Sequence, residues 1–117
     1  MNKNKILQDY IVNTTLHGKY TISGDHKKAN TTYRKIVKVV KSLYKIDPEF
    51  NSLESLLGYG DDSVKIFAAT ELLFTKKNNI AAEVLEKIAK ESGIFAFTAS
   101  MVLSEWKKGN LKPLHEL

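Results

Sequence analysis

Apolar residues recur along this chain at spacings of three and four, and the alternation of period two that marks a half-buried strand is absent. The first helical segment predicted on this basis runs from about Lys3 to Ile22. Ile6, Leu7, Tyr10, Ile11, Thr14, His17 and Gly18 fall on one face. Gly18 costs a helix about 1 kcal/mol relative to Ala, so its presence there predicts close approach of a neighbouring helix. The second segment follows Gly24, with Asp25 as a natural N-cap. Its apolar face is Ala29, Tyr33, Ile36, Val37, Val40, Leu43 and Tyr44. Asp47-Pro48 reads as the cap and first-turn proline of a third helix, with Phe50, Leu53, Leu56 and Leu57 inward.

Gly58-Tyr59-Gly60 breaks the chain again. Asp61-Asp62 opens a fourth helix with Val64, Phe67, Ala68, Leu72 and Leu73 inward, and Asn78 or Asn79 is expected to cap a fifth carrying Ala81, Val84, Leu85, Ile88 and Ala89. After Ser92-Gly93 the sixth carries Phe95, Ala99, Val102, Leu103 and Trp106. Lys107 and Lys108 suit its C-terminal dipole, and Gly109 suits a left-handed cap. Residues 110–117 read as a loose tail. The pattern predicts one all-α domain over 1–117, with about six helices: an opening hairpin over 1–46, two helix pairs over 47–109, and the tail.

The two pairs echo one another. An offset of 31 positions sets Val64 on Phe95, Ala68 on Ala99 and Leu72 on Leu103. Small residues at one register let helices pack closely, and self-similarity at a fixed period is the mark of a solenoid. The stretch Leu57-Gly58-Tyr59-Gly60-Asp61-Asp62-Ser63-Val64-Lys65-Ile66-Phe67-Ala68-Ala69-Thr70-Glu71-Leu72 resembles the turn and second helix of a HEAT repeat, with its acidic turn, its Val-Lys pair and its Ala-Ala pair. Gly24-Asp25 with Ala29-Asn30 and Tyr33, and the closing Ser104-Glu105-Trp106-Lys107-Lys108-Gly109, extend the likeness over roughly residues 5 to 111. Taken together, the chain resembles a small bacterial family of HEAT-like domains of unknown function. That resemblance implies antiparallel pairs stacked as a short right-handed solenoid, brings no catalytic residues, and points to interaction roles of the immunity or regulatory kind.

Charge adds what the pattern leaves out. Residues 1–45 hold ten Lys or Arg against Asp9 and Asp25, a net +8, whereas residues 46–117 carry a net −3. From His26 to Ile46 there are seven basic residues and no acidic one. At ~100° per residue, Lys27, Arg34, Lys38, Lys41 and Lys45 share a stripe ~60° wide. Such a ridge suits phosphates or an acidic protein face; the plainer alternative is a solvated helix face. Asp25, Asn30 and Tyr33 form a candidate polar cluster that fixes the register of the opening hairpin, with a small polar pocket as the functional alternative.

Other chemistries find no support in the residues. There is no cysteine, which removes disulfides and thiolate metal sites and fits a cytoplasmic setting. The first ten residues lack the apolar core of a secretory signal, and no stretch is apolar enough to span a membrane. His17, His26 and His115 have no partner at ligand spacing, so no metal is expected, and His17 is expected to pack between helices. Asp61-Asp62 reads as a cap rather than an acid–base pair, and Gly58-Tyr59-Gly60 lacks the strand and Gly-Lys-Ser/Thr of a phosphate loop. Trp106 is expected in the core or at its end. The expected function is a non-catalytic module without cofactors that binds a protein or peptide. Nucleic-acid binding through the basic ridge is the second expectation.

Overall fold

The computed structural model describes residues 2–117; Met1, which opens the segment considered above for a leader, lies outside the described residues. Helix α1 (Lys3–Ser23) starts where the Asn2 side chain accepts the Lys5 N–H at 2.8 Å. It ends at Gly24, whose φ of 76° turns the chain so that the Asp25 N–H reaches back to the Tyr20 carbonyl. Its buried face is narrow: Ile6, Tyr10, Thr14 and Gly18, one residue every four. Towards its end that face narrows to Thr14 and Gly18, and there α1 crosses the next helix but one. A Cβ on Gly18 would stand 2.6 Å from Ser63 Cβ, so the close approach expected at Gly18 is present.

Helix α2 (His26–Ile46) begins with Asp25 accepting the Lys28 N–H at 3.1 Å. It buries Ala29, Thr32, Ile36, Val40 and Leu43 against α1 and turns its charges outward. Asp47 ends it, and here the expectation for the third helix needs correction. The Asp47 carboxylate accepts the Asn51 N–H at 3.1 Å and the Ser52 N–H at 2.8 Å, across a turn that contains Pro48. The helix that follows is a 3-10 helix over Asn51–Gly58 rather than an α-helix from Pro48. The reason lies in the apolar spacing: Phe50, Leu53 and Leu56 are three apart, and a helix with three residues per turn puts all three on one side. Phe50 adopts a left-handed φ of 53° to swing its ring into the core, where it is 1% exposed.

Helix α3 (Asp62–Leu72) is the centre of the molecule. Asp61 caps it by accepting the Ser63 and Val64 N–H groups at 2.9 and 3.2 Å. The helix packs on α1, the 3-10 helix, α4 (Asn78–Ala89) and α5 (Ile94–Lys107), and Ser63, Val64, Ile66, Ala68, Ala69, Glu71 and Leu72 are all buried. Ala68 and Ala99 are both fully buried, in keeping with the 31-residue register. The cap expected from Asn78 or Asn79 is absent; Lys77 holds that position and Thr75 Oγ1 accepts its N–H at 3.1 Å.

After α5 and the left-handed Gly109, the expected loose tail is instead docked. Pro113 and Leu114 are buried, and a short 3-10 turn over Leu114–Glu116 lies against α2. An extended segment of mixed polarity gives no periodic signal, which is why its docking escaped the sequence pattern. The described residues are all-helical, with no strand; five α-helices and the long 3-10 helix make the six principal ones. They form a compact globule with a radius of gyration of 13.2 Å, near the ~13 Å of a globular domain of this length. No helix is long and apolar enough to cross a membrane.

Candidate functional site

The cations on the outer face of α2 stand where the pattern put them. Lys27, Arg34, Lys38, Lys41 and Lys45 are all exposed, and among the described residues none lies within 4.0 Å of an acidic side chain. Lys28, off the stripe, is the helix's one ion-paired cation, at 3.9 Å from Asp25. Two ridge residues make other contacts: Arg34 Nη2 donates to Thr31 Oγ1 at 3.4 Å, and Lys41 Nζ donates to the main-chain oxygen of Leu117 at 2.6 Å. Lys27 and Lys45 stand roughly 27 Å apart along the axis at the rise of an α-helix.

Asp25, Asn30 and Tyr33 differ in burial. Asp25 is occupied with capping, and Asn30 faces solvent. Tyr33 is half-buried, its ring 6.1 Å from that of His17. The buried polar side chain of this region is Thr32, which donates to the Lys28 carbonyl within its own helix at 2.8 Å.

The most perturbed carboxyl in the molecule is one the sequence pattern did not single out. Glu71, on α3, is fully buried. Its Oε1 accepts the Leu114 N–H at 2.8 Å, which ties the C-terminal segment to the core. Its Oε2 has no hydrogen-bond partner and lies 3.7 Å from His115 Nδ1, itself unpartnered. The Tyr10 hydroxyl is a third buried polar atom without a partner. Burial, opposed by the Leu114 N–H and aided by the Glu116 charge, pushes the Glu71 carboxyl up to about 7. Burial, and then the Glu71 charge, hold the Tyr10 hydroxyl well above its ordinary value. The His115 ring stacks on Tyr44 at 4.0 Å between centroids and 12° between planes, with Phe50 at 5.6 Å.

Glu71 could have been suspected from spacing. It stands seven residues after Val64 and three after Ala68, so the helical period that selects those two as core also selects it. His115 carries no such signal, because its partners Tyr44 and Glu71 are distant in sequence.

A cavity of about 220 Å³ lies beside this centre, walled by α1, α2, α3, α5 and the C-terminal segment. His17 lines it, with its ring edge-on to Phe67 at 5.1 Å. The expected packing of His17 between helices is therefore observed. Burial lowers its pKa below the ordinary histidine value and so favours the neutral ring. Tyr33 also lines the cavity, its pKa raised by burial and by Glu71.

Ser63 and Asp61, the other groups of chemical interest, are committed to structure. Ser63 Oγ donates to the Thr14 carbonyl at 2.8 Å, and Asp61 caps α3. Glu71 is sealed from solvent, where no substrate reaches it. Among the described residues no three His, Asp or Glu side chains gather as metal ligands would. No protein-family model, no curated protein and no solved structure matches the chain.

Proposed function

We propose that the protein is a non-catalytic binding module that takes an acidic protein or peptide on the basic ridge of α2. In this reading its three helix pairs stack as a short right-handed HEAT-like solenoid. It works in the cytoplasm without metal or cofactor, as an immunity-type or regulatory bacterial protein would. The observation that carries the proposal is the row of five exposed cations with no acidic side chain beside them. Like charges one turn apart destabilise a helix by a few tenths of a kcal/mol per pair. A ridge that accepts this repulsion from Arg34 to Lys45 is suited to a partner that relieves it. The compact frame beneath keeps the charges in fixed register.

A second reading, nucleic-acid binding, draws on the same cations, since phosphates would neutralise them equally well. It ranks lower because no aromatic side chain is interleaved with Lys27, Arg34, Lys38, Lys41 and Lys45 to stack on bases.

The test is affinity capture from cells with the wild type and with the triple variant Lys27→Glu, Arg34→Glu, Lys38→Glu, each with and without nuclease. Lys41 is left intact because it bonds the Leu117 main chain. The proposal expects a protein partner that survives nuclease and is lost in the variant. Capture that nuclease abolishes would favour the second reading. Identical capture by wild type and variant would reduce the ridge to a solvated face.

A further inference from the structure

We propose that the cavity beneath the C-terminal segment is a binding site for a small, neutral, single-ring aromatic molecule bearing a hydroxyl group, the phenol class. Size comes first. A dry apolar cavity of about 150 Å³ already accepts benzene, so 220 Å³ has room for a substituted ring. The walls come next. Phe67, Phe95, Ile66, Val102, Leu111 and Leu114 make the exposed lining mostly apolar. His17 and Phe67 already meet edge to face, the geometry in which aromatic rings attract one another.

The polar groups set the ligand's head. Four aliphatic hydroxyls line the cavity, and the proton of each is already donated to a backbone carbonyl: Ser63 to Thr14, Thr21 to His17, Thr70 to Ile66 and Thr98 to Ile94, at 2.6 to 2.9 Å. They retain lone pairs only. His17 Nδ1 lies 3.5 Å from Thr21 Oγ1, whose proton is so committed. In its neutral form the ring carries one hydrogen, and its other nitrogen is an acceptor. Tyr33 donates to nothing among the described residues, although it lines the same space. The site thus offers many acceptors and one free hydroxyl donor. A ligand O–H can donate to one of these acceptors, and its oxygen can take the Tyr33 proton.

Charge completes the selection. No carboxylate lines the cavity, and the one cation, Lys112, is exposed. An ammonium ligand would find no counter-ion. A carboxylate ligand would find no buried cation, because Lys112 is exposed.

The experiment titrates the full chain with p-cresol, toluene and benzoate, followed by amide chemical-shift changes in heteronuclear NMR. We expect saturable p-cresol binding with shifts concentrated around His17, Phe67 and Phe95, at least tenfold tighter than toluene and tighter than benzoate. Val102→Trp, which fills the cavity, should abolish it. His17→Phe keeps a ring of similar size and removes the acceptor, so p-cresol should fall to the toluene level. Should Val102→Trp fail to fold, the His17→Phe comparison decides alone. Unsaturable p-cresol shifts, benzoate binding as tightly as p-cresol, or unchanged p-cresol affinity in His17→Phe would each overturn the proposal.

Discussion

Helices α2 and α3 solve the problem of polar side chains in opposite ways. Helix α2 is amphipathic in the ordinary sense: one face holds Ala29, Thr32, Ile36, Val40 and Leu43, and the other holds its cations in water. Helix α3 is buried on nearly every side and carries one carboxyl, Glu71, into the core. Five charges on α2 cost little, because water screens each of them. The single buried ionisable group on α3 dominates, because only the Leu114 N–H makes a hydrogen bond to it. The contrast teaches that ionisable groups are to be weighed by what surrounds them and not by how many there are.

The largest expected effect concerns Glu71 and pH. In the unfolded chain a glutamate titrates near 4.5, whereas in the fold Glu71 titrates at about 7. Below pH 4.5 both states hold the proton and Glu71 leaves stability independent of pH. Between the two values the unfolded state has lost the proton and the folded state keeps it, so stability falls as pH rises. Above 7 the loss is complete and amounts to about 3 kcal/mol, at roughly 1.4 kcal/mol for each pH unit that separates the two values. Asp47 works in the other direction and outside this window. Burial raises its pKa, but the hydrogen bonds from Ser52 and Asn51 outweigh burial and hold it below the usual aspartate value. Its stabilisation is present above the unfolded value and is lost only as pH falls below about 4. Urea unfolding at pH 5 and pH 8 should therefore show a marked loss in the wild type, and Glu71→Gln should flatten it. Equal pH dependence in both proteins would mean that the carboxyl is not held as described.

A smaller effect tests how tightly α3 is enclosed. Gly18→Ala gains about 1 kcal/mol of helix propensity. It also drives a methyl to within 2.6 Å of Ser63 Cβ, which cannot rotate away. Overpacking of this kind costs about 1–3 kcal/mol, so a net loss of stability is expected. Ser63→Gly should relieve the clash, and the double variant should recover part of the loss in a double-mutant cycle. A Gly18→Ala protein as stable as the wild type would show that α1 and α3 have slack between them.

The same contrast explains what was legible in the sequence. Where a helix has one wet face, the apolar period reports it: α2 ends at Ile46 and is capped by Asp25 as the pattern implies. Gly18 was legible because a glycine inside a helix needs a reason, and the reason is Ser63. Helix α3 blurred the signal, since a helix buried all round has no polar face to contrast with Glu71. The 3-10 helix escaped because Asp47-Pro48 also fits the start of an α-helix, and only the spacing of three among Phe50, Leu53 and Leu56 distinguishes them. The closing turn was illegible for a different reason. The contacts of Leu114 and His115 with Glu71 and Tyr44 join residues remote in sequence, and no local periodicity encodes such a contact. The cavity follows from that docking, because Leu111, Lys112 and Leu114 form part of its wall.

The smallest expected effect belongs to α2 and completes the comparison. Replacing Lys27, Arg34 and Lys38 with Glu removes three positive charges, adds three negative ones and leaves the buried face untouched. Lys27 and Arg34 stand seven residues apart and Lys38 four further on, so of the three new carboxylates only that at position 38 falls within a turn of Lys41, which remains cationic. A glutamate at position 38 pairs with Lys41 at the i, i+3 spacing that stabilises helices by about 0.2–0.5 kcal/mol. Two new carboxylates at positions 34 and 38 repel by a similar amount. That repulsion replaces the equal one between Arg34 and Lys38, so the net change is the few tenths of a kcal/mol from position 38, and the exposed side chains carry no packing to lose. The midpoint of urea unfolding at pH 7 should therefore move by no more than about 0.5 kcal/mol in equivalent stability, the range of surface substitutions. That is several-fold below the effect of pH on Glu71, although three residues change rather than one proton. A loss of about 2 kcal/mol or more in this variant, beyond what surface substitutions produce, would mean that the ridge is held by contacts within the fold, and α2 would no longer serve as the solvated counterpart of α3.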